Sequence, residues 1–282
     1  MRYRAKAYAK INLFLDVLGK RSDGYHDLDT VMQNVSLFDE VSLELTDGDI
    51  SVKCDNFTIC DENNIAYAAC RSFFEYTRIN KGANIEINKR IPLAAGLGGG
   101  SADAATVLLL LNMATKANLE EQELIDLAKP LGADVPFFIV GGTARAGGIG
   151  EKLTKIAAPE MNYVLLKNGE KQSTAKMYAT IDNTDYHVCS DVEQLIDSLA
   201  ENNLLNTSKH IFNAFSYCWD FKALAEPFER FKPISVFLSG SGPTVCALFP
   251  ECNAAKACAD VLKSEGYEAY SVISVGFGME VV

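Results

Sequence analysis

The sequence has no hydrophobic run long enough to cross a membrane. Its longest apolar stretches, such as VLLLLNMA at 107–114, are far shorter than the roughly 20 residues that a transmembrane helix needs. The first residues, MRYRAKAYAKINLFLDVLGKR, are interrupted by Lys10 and Asp16, and no small-residue cleavage site follows them. We therefore predict that this segment belongs to the fold and that the protein has no membrane partner.

An excess of basic residues is also missing. The chain has 26 Lys and Arg against 37 Asp and Glu, which gives a formal net charge of -11 at pH 7. Affinity for a phosphate backbone comes from clustered Lys and Arg, so this balance argues against a nucleic-acid partner. An anionic small ligand would need a local site.

Closely spaced cysteines are absent as well. The eight cysteines lie at positions 54, 60, 70, 189, 218, 246, 252 and 258. No pair forms a CxxC knuckle, so we interpret them as buried free thiols rather than metal ligands. Without a disulfide-scaffold spacing or an export signal, a cytoplasmic location is predicted.

What remains is the composition of a globular protein with mixed secondary structure. Of the 282 residues, 48% are apolar and 22% are charged, which suits one large domain or two. Residues 1–90 read mainly as short β-rich runs, with one helix at about 63–79. From 101 the pattern becomes helical, and strands and helices then mix without strict βαβ alternation. The predicted fold class is α+β.

Local signals predict the elements after residue 100. Ser101 is predicted to cap a helix that is apolar all round and therefore buried. Asn118 and Glu121 have the spacing of a capping box for a second helix at about 119–130, and Pro136 suits the first turn of a third. The other predicted elements are a glycine-rich strand region at 141–156, a strand at 162–167, helices at 174–181, 190–200, 209–230 and 253–265, two strands around the turn 239–244, and a last strand at 268–277.

The most distinctive feature is the glycine loop IPLAAGLGGGSADAA at 91–105, which has four glycines between 96 and 100. A glycine-rich loop that opens a helix brings backbone N–H groups onto a phosphate, and the helix dipole favours the anion. The alternatives are a flexible turn and a tight helix-packing site. The P-loop pattern is absent, Ser101 replaces the third Rossmann glycine, and the HRD and DFG motifs of protein kinases are missing. We interpret the loop as a phosphate cradle of another type.

This loop resembles the phosphate loop of the GHMP small-molecule kinases, in a glycine-enriched form. Other segments of the chain carry the same resemblance in the same order. They are AKINLFLDVLGKRSDGYHDLDTVMQ (9–33), ENNIAYAA (62–69), GADVPFFIVGGTARAGGIGE (132–151) and LSGSGPTVCALF (238–249). Together these landmarks extend across nearly the whole chain, which makes them far more specific than the loop alone.

The resemblance implies a two-domain fold and a reaction. The domains would be a ribosomal-protein-S5-like domain at 1–154 and a ferredoxin-like α/β sandwich domain at 155–282. The reaction would be ATP-dependent phosphorylation of a hydroxyl on a small molecule that carries cytidine diphosphate, and it would require Mg²⁺. The enzyme would be a monomer or a homodimer. Alternatives are a GHMP kinase for homoserine, mevalonate or a sugar, which has no use for a cytosine-binding motif, and a nucleotide-binding module without catalysis.

By the same resemblance, Lys10 and Asp134 form the catalytic pair. Asp134 would act as general base toward the substrate hydroxyl, while Lys10 would keep Asp134 ionised, orient the hydroxyl and stabilise the transferring charge. Taken singly, Asp134 reads as a helix N-cap and Lys10 as an exposed strand lysine. Asn12 lies two residues from Lys10, so it projects from the same face of a strand and is predicted to help hold the hydroxyl.

The DGYH motif is predicted to bind the cytosine. The resemblance places His26 against the edge of the base and Tyr25 on its face, with Tyr178 as the second aromatic of a sandwich. Before Tyr178, KNGEKQ replaces the proline-containing run that the family pattern has there. The remaining histidines, His187 and His210, are interpreted as ordinary surface or core residues.

The nucleotide site is predicted around the glycine loop. Asn63 and Asp103 are expected to contact the adenosine, and the turn SGSGPT (239–244) to border the substrate cleft. Mg²⁺ is expected to be held mostly by phosphates, waters and Ser101, since no metal-binding carboxylate is evident by motif. The residues predicted to form the phosphate loop are Pro92, Leu93, Ala94, Ala95, Gly96, Leu97, Gly98, Gly99, Gly100, Ser101 and Ala102.

Overall fold

The structure is a computed structural model that describes residues 1–55, 61–184, 186 and 191–282. Its strands are Arg2–Lys20 (β1), His26–Thr46 (β2), Ile50–Cys54 (β3), Gly82–Asn88 (β4), Thr143–Gly148 (β5), Lys152–Lys155 (β6), Asn162–Lys167 (β7), Phe212–Asn213 (β8), Ser235–Leu238 (β9), Thr244–Phe249 (β10), Glu268–Ile273 (β11) and Met279–Val281 (β12). Its α-helices are Ile65–Thr77 (α1), Gly99–Thr115 (α2), Glu121–Ala128 (α3), Val135–Val140 (α4), Thr174–Ile181 (α5), Val192–Ala200 (α6), Leu204–His210 (α7), Phe221–Ala225 (α8) and Cys252–Ser264 (α9). Short 3₁₀ turns lie at Asp61–Asn63, Lys129–Leu131, Ala214–Cys218 and Glu226–Phe231.

Over the described residues, the strands form two sheets. The larger sheet has the order β12-β1-β2-β4-β3, with β5 and β8 paired to β2 and β1 and with β6 paired to β5. The smaller sheet has the order β11-β7-β10-β9. The mixed order, without regular βαβ units, confirms the α+β class predicted from the sequence.

The long hairpin of β1 and β2 forms the centre of the larger sheet. The two strands pair antiparallel along nearly their whole length, with three shifts of register. One shift lies between Asn12 and Phe14, starting two residues after Lys10. Since an extra residue bends and twists a strand locally, this irregularity turns β1 at the point where Lys10 and Asn12 project from it.

The C-terminal end of the chain returns to the larger sheet. β12 pairs antiparallel with β1, with Ala5 opposite Val281. β8 also joins this sheet, where Phe14 lies opposite Phe212 in a parallel pairing. The predicted domain boundary between 154 and 155 stays a prediction, and both of these pairings run across it.

Buried helix α2 packs between α1, α4 and the β1–β2 hairpin. Its side chains are buried on nearly every face, including Ala104, Leu108 and Leu111. A helix that is apolar all round has no face suited to water, so burial follows from its sequence. The position of α2 brings its N-terminus, and the glycine loop before it, to the junction of the two sheets.

Both predicted caps are wrong. Helix α2 begins at Gly99, with Gly98 in the N-cap position, so Ser101 lies inside the first turn. Helix α3 has a capping box formed by Glu120 and Glu123. Asn118 lies two residues before this box, with a left-handed φ of 54°, and takes no part in it.

The predicted long helix at 209–230 is also wrong. Its place is taken by the end of α7, β8, α8 and two 3₁₀ turns. Asn213 and Asp220 accept hydrogen bonds from the backbone N–H groups of Phe215 and Ala223, which starts a new turn at each point. Pro227 then opens the last 3₁₀ turn, where it has no N–H to continue a helix.

Candidate active site

Two neighbouring cavities lie where the sheets meet. The first, of about 410 Å³, is lined by residues 91–101 and is called the loop cavity. The second, of about 610 Å³, is lined by Tyr25, His26 and Tyr178 and is called the aromatic cavity. The lining that both share consists of Lys10, Asp134, Thr174, Gly240 and Ser241. A molecule in one cavity therefore meets a molecule in the other at Lys10 and Asp134.

The glycine loop leaves the first turn of α2 open toward the loop cavity. No side chain caps this helix and no acidic residue lies in its first turn. Unpaired N–H groups at a helix N-terminus bind anions, aided by the helix dipole. Gly98 has a φ of 72°, and a Cβ there would lie 2.7 Å from Cζ of Phe138. Glycine is required at this position by both conformation and space.

Lys10 is buried at the junction of the cavities. Its Nζ donates to Oδ1 of Asn12 at 2.7 Å and lies 3.4 Å from Oδ2 of Asp134. Its backbone N–H donates to the carbonyl of Leu97 at 3.0 Å, which attaches β1 to the glycine loop. Only 4% of the Lys10 side chain is exposed, so it is not the exposed strand lysine that its position alone would suggest.

Asn12 connects Lys10 to the turn that follows β9. Its Oδ1 also accepts a hydrogen bond of 3.0 Å from the backbone N–H of Gly240, and its Nδ2 donates to Oγ1 of Thr30 at 2.9 Å. Every polar atom of the Asn12 amide side chain is thereby engaged, so its orientation is set on all sides.

Asp134 occupies the N-cap position of α4, but its carboxylate makes no capping hydrogen bond. The side chain is 38% exposed and lines both cavities. Pro136 lies in the first turn of α4, as predicted, and fixes the backbone that carries Asp134. The carboxylate is therefore held beside Lys10 with an oxygen accessible to a ligand.

The aromatic cavity is built around His26 and Tyr178. Their rings stack with centroids 4.4 Å apart and an angle of 12° between the planes. Nε2 of His26 lies 2.9 Å from Oδ1 of Asp182. Because a carboxylate oxygen accepts here, Nε2 of His26 is the donor of this hydrogen bond. Phe215 packs edge-on against Tyr178, with centroids 5.0 Å apart.

Tyr25 and Tyr178 lie in different surroundings within this cavity. Tyr25 is 61% exposed and lines the rim. Tyr178 is largely enclosed, and burial together with the charge of Asp134 raises its pKa to about 12. The structure thus places all four residues that were predicted for the substrate, Asn12, Tyr25, His26 and Tyr178, along one cavity.

Asn63 and Asp103, the predicted adenosine contacts, do not line the loop cavity among the described residues. Asn63 is exposed at the end of a 3₁₀ turn, whereas Asp103 is buried inside α2. His210, which was interpreted as an ordinary surface or core residue, is the last residue of α7. His187, Cys60 and Cys189 lie outside the described residues, and the free thiols within them include Cys70, Cys218, Cys246, Cys252 and Cys258.

Asp103 belongs to a buried charge cluster beneath the glycine loop. Nζ of Lys89 pairs with Oδ2 of Asp103 at 2.7 Å and with Asp39. Oδ1 of Asp103 is buried and has no hydrogen-bond partner among the described residues. Burial raises the pKa of Asp103 to about 8, against the attraction of Lys89 and with added repulsion from Asp39. Burial lowers the pKa of Lys89, but the two carboxylates outweigh it and the net change is upward.

Three polar or charged residues in the lining of the loop cavity were not predicted from the sequence. These are Lys89, Lys171 and Thr174. Lys89 stands just before the glycine loop in sequence, which was an available signal. Lys171 lies in KNGEKQ, the segment that departs from the family pattern, and local sequence offered no sign that it faces the glycine loop.

Fold and site together define a small-molecule kinase of the GHMP class. The sequence profile of the GHMP kinases N terminal domain matches residues 64–142. The 4-diphosphocytidyl-2-C-methyl-D-erythritol kinase of Clostridium tetani is 39% identical over 274 residues, which covers 95% of this chain and 98% of that protein. The kinase of the same name from Acetivibrio thermocellus is 40% identical and covers 94% and 96%. The chain belongs to the family of 4-diphosphocytidyl-2-C-methyl-D-erythritol kinases.

Solved structures show the same fold. A crystal structure of 4-(cytidine 5'-diphospho)-2C-methyl-D-erythritol kinase superimposes with a TM-score of 0.82 at 31% identity, over 97% of this chain and 99% of that one. Homoserine kinase from Cytophaga hutchinsonii has a TM-score of 0.79 at 18% identity and covers 100% and 97%. Because the identity to homoserine kinase is only 18%, this similarity shows a shared fold and nothing about function. These results confirm the predicted GHMP kinase fold.

Proposed function

We propose that this enzyme transfers the γ-phosphoryl group of ATP to the 2-hydroxyl of 4-diphosphocytidyl-2-C-methyl-D-erythritol, giving the 2-phosphate and ADP in the non-mevalonate route to isoprenoid precursors. The observation that carries the proposal is the meeting of two cavities at one Lys–Asp pair. The loop cavity suits an anionic donor, and the aromatic cavity suits a pyrimidine-bearing acceptor.

The donor is assigned to the loop cavity. The open first turn of α2 and the glycines at 96 and 98 present backbone to the cavity, and an ATP triphosphate is the anion that a kinase binds there. The predicted phosphate loop, from Pro92 to Ala102, includes this segment. Contact of Asn63 and Asp103 with adenosine stays a prediction.

The chemistry is assigned to the junction. As the substrate hydroxyl oxygen bonds to the γ-phosphorus and the bond to ADP breaks, the Asp134 carboxylate accepts the hydroxyl proton. The Lys10 ammonium, 3.4 Å from that carboxylate, orients the hydroxyl and stabilises charge on the transferring oxygens. Asn12 holds Lys10 in place through its 2.7 Å hydrogen bond.

The cytidine is assigned to the aromatic cavity. A cytosine presents both a π-face and a hydrogen-bonding edge, and this cavity supplies rings together with the oriented imidazole of His26. Tyr178 supplies an enclosed ring, and Tyr25 lies at the rim where it can cover a bound base. Homoserine and mevalonate have no aromatic ring to place there.

Magnesium is assigned as the partner of ATP. The described residues contain no group of three or more His, Cys, Asp or Glu able to hold a metal. Ser101, in the first turn of α2, supplies a hydroxyl in the lining of the loop cavity. This single oxygen suits Mg²⁺ that keeps phosphate and water as most of its ligands, and the ion would neutralise phosphate charge.

Product identification by phosphorus NMR tests the function. Purified enzyme is incubated with ATP, Mg²⁺ and the cytidylyl substrate, or with mevalonate or homoserine instead. We expect a new phosphomonoester resonance and ADP only with the cytidylyl substrate. Turnover of mevalonate or homoserine without turnover of the cytidylyl substrate would make the assignment wrong. Nucleotide binding with no turnover of any acceptor would indicate a non-catalytic module.

The location and the oligomeric state of the protein were predicted from the sequence alone. Among the described residues, no helix combines the length and apolar character that a bilayer span requires. The cytoplasmic location and the monomeric or homodimeric state stay predictions, and size-exclusion chromatography with light scattering would decide the latter.

A further inference from the structure

We propose that Lys171 binds the terminal phosphate of the nucleotide, as a second cation that reaches the triphosphate from the loop between β7 and α5. The inference deepens the proposed function and rests on it for the identity of the ligand.

The loop that carries Lys171 is attached to the glycine turn before β10. The backbone N–H of Asn168 donates to the carbonyl of Pro243 at 3.4 Å, and its side-chain Nδ2 donates to the carbonyl of Leu224 at 3.1 Å. Gly169 follows with a φ of 113°, which favours glycine. These contacts give Lys171 a defined starting point, from which it lines the loop cavity together with the glycine loop.

The charges around this cavity leave Lys171 uncompensated. Lys10 faces Asp134, and Lys89 is held between Asp39 and Asp103. Within the described part of the chain, Lys171 has no carboxylate within ion-pair distance. It is therefore the lining lysine whose charge remains available to a triphosphate. An anion without such a cation would lose much of its attraction to the site, since the molecule as a whole is acidic.

The electrostatic surroundings of Lys171 agree with this position. Partial burial and the charge of Lys10 lower the pKa of Lys171, and Asp134 opposes the change. Two ammonium groups thus share one small cavity and repel each other. A phosphate between them would remove that repulsion, which is the arrangement by which cations hold a transferring phosphoryl group.

The terminal phosphate is favoured over the inner ones. Lys171 shares its cavity with Lys10, Asp134 and Thr174, and these three also line the aromatic cavity where the acceptor is assigned. The phosphate nearest the acceptor is the one that is transferred. A cation on this side therefore contacts the γ-phosphate and leaves the inner phosphates to the backbone of the glycine loop.

Nucleotide affinity measured on three variants tests the assignment. Lys171→Ala removes the charge, Lys171→Arg keeps it, and Lys176→Ala is the matched control, because Lys176 is exposed on α5 and lines neither cavity. The dissociation constants of a non-hydrolysable ATP analogue and of ADP are measured by calorimetry with Mg²⁺. We expect Lys171→Ala to raise the dissociation constant of the analogue about tenfold and that of ADP by less than about twofold. Lys171→Arg and Lys176→Ala should stay within about twofold of the wild type for both nucleotides.

Equal weakening of both nucleotides, or no weakening in Lys171→Ala, would overturn the assignment. Loss of affinity in Lys176→Ala to the same extent would overturn it as well. Failure of the wild type to phosphorylate the cytidylyl substrate would refute the proposed function without changing the binding comparison. Circular dichroism on each variant confirms that the proteins compared are folded.

Discussion

Lys10 and Asp134 differ greatly in exposure, and that difference suits different roles. Lys10 is enclosed and bonded to Asn12, whereas the Asp134 carboxylate is 38% exposed and makes no helix-capping bond. A base must reach a ligand, but the cation beside it gains from exclusion of water, because low dielectric strengthens its field. A helix-cap role for Asp134 would have engaged the same oxygens.

Asp134→Asn is expected to lower kcat by roughly a hundredfold or more, because an amide cannot accept the hydroxyl proton. The affinity for ATP should change little, since the backbone of the glycine loop is untouched. Steady-state kinetics and nucleotide titration measure the two effects separately. Asp126→Asn, on the exposed side of α3, is the control for loss of a surface carboxylate. Unchanged kcat in Asp134→Asn would refute the base assignment.

The cluster of Lys89, Asp39 and Asp103 has two carboxylates for one ammonium. One cation cannot compensate both acids in a buried site, so ionisation of the second is disfavoured. The consequence falls on Asp103, whose Oδ1 has no partner in the described part of the chain and whose pKa is raised to about 8. Folding then favours the protonated form of Asp103 relative to the unfolded chain.

This raised pKa predicts a pH-dependent stability. The folded state holds a proton that the unfolded chain loses near its ordinary pKa of 3.8, so the stabilisation is full below that pH and is lost as pH rises through about 8. Wild type should lose at least about 1 kcal/mol more than Asp103→Asn between those pH values, because tenfold in proton affinity corresponds to about 1.4 kcal/mol. Urea unfolding across the pH range measures both curves.

The control for this experiment is Asp260→Asn, which removes an exposed carboxylate from α9. Its curve should run parallel to that of the wild type. An Asp103→Asn curve that also ran parallel would contradict the prediction.

At the scale of elements, the glycine loop and the turn after β9 form one unit. Oγ of Ser239 donates to the carbonyl of Gly96 at 3.1 Å, and Asn12 bonds to Gly240 in the same turn. A Cβ at Gly96 would lie 2.4 Å from the backbone oxygen of Ser239, and the φ of Gly96 is 78°. The two segments approach this closely because glycine has no side chain.

Gly96→Ala is expected to destabilise the protein by about 2 kcal/mol or more, since left-handed backbone costs an alanine about 1–2 kcal/mol before the clash is relieved. ATP affinity should fall with it as the loop shifts. Gly100→Ala is the matched control. A Cβ there meets nothing nearer than Ile65 at 3.7 Å, and alanine in a helix gains up to about 1 kcal/mol. Thermal unfolding compares the variants, and equal Tm values for the two would make the prediction wrong.

Helices and strands were predicted well where the hydrophobic pattern was strong. They were predicted poorly where side-chain hydrogen bonds to the nearby backbone interrupt a helix. The buried helix α2, the short helix at Pro136 and the strands on either side of 239–244 were all predicted. The long helix at 209–230 was not found, because Asn213 and Asp220 bond to the backbone ahead of them and divide the segment. Hydrophobic periodicity gives no sign that side-chain hydrogen bonds to the backbone compete with the helix.

At the scale of the molecule, Tyr163 connects the two sheets. It lies on β7 and is fully buried, and its hydroxyl donates to Oε1 of Gln33 on β2 at 2.7 Å. Gln33 in turn donates to Oγ1 of Thr143 on β5 at 2.9 Å. The apolar cluster around Tyr163 includes Ile11 of β1, so apolar packing joins the two sheets at the same place.

Tyr163→Phe is expected to lower the free energy of unfolding by about 1–3 kcal/mol, because it leaves the buried Gln33 oxygen without its donor. Tyr270→Phe, which removes an exposed hydrogen bond to Glu268 on the same sheet, should cost less than about 0.5 kcal/mol. Urea unfolding measures both changes. Similar losses of unfolding free energy in the two variants would mean that the hydrogen bond between the sheets stabilises the protein no more than an exposed one does.

Local pattern was enough to predict the α+β class, the buried helix, the glycine loop and, through ordered motifs along the chain, the kinase family. These properties depend on residues that are neighbours in sequence, so the sequence carries them directly. The resemblance implied that Lys10 and Asp134 act together, but their 3.4 Å contact, the stacking of His26 on Tyr178 and the placement of Lys171 in the lining of the loop cavity required the folded chain. Each joins segments more than a hundred positions apart or lying across the cleft, and no local periodicity encodes the packing that brings them together.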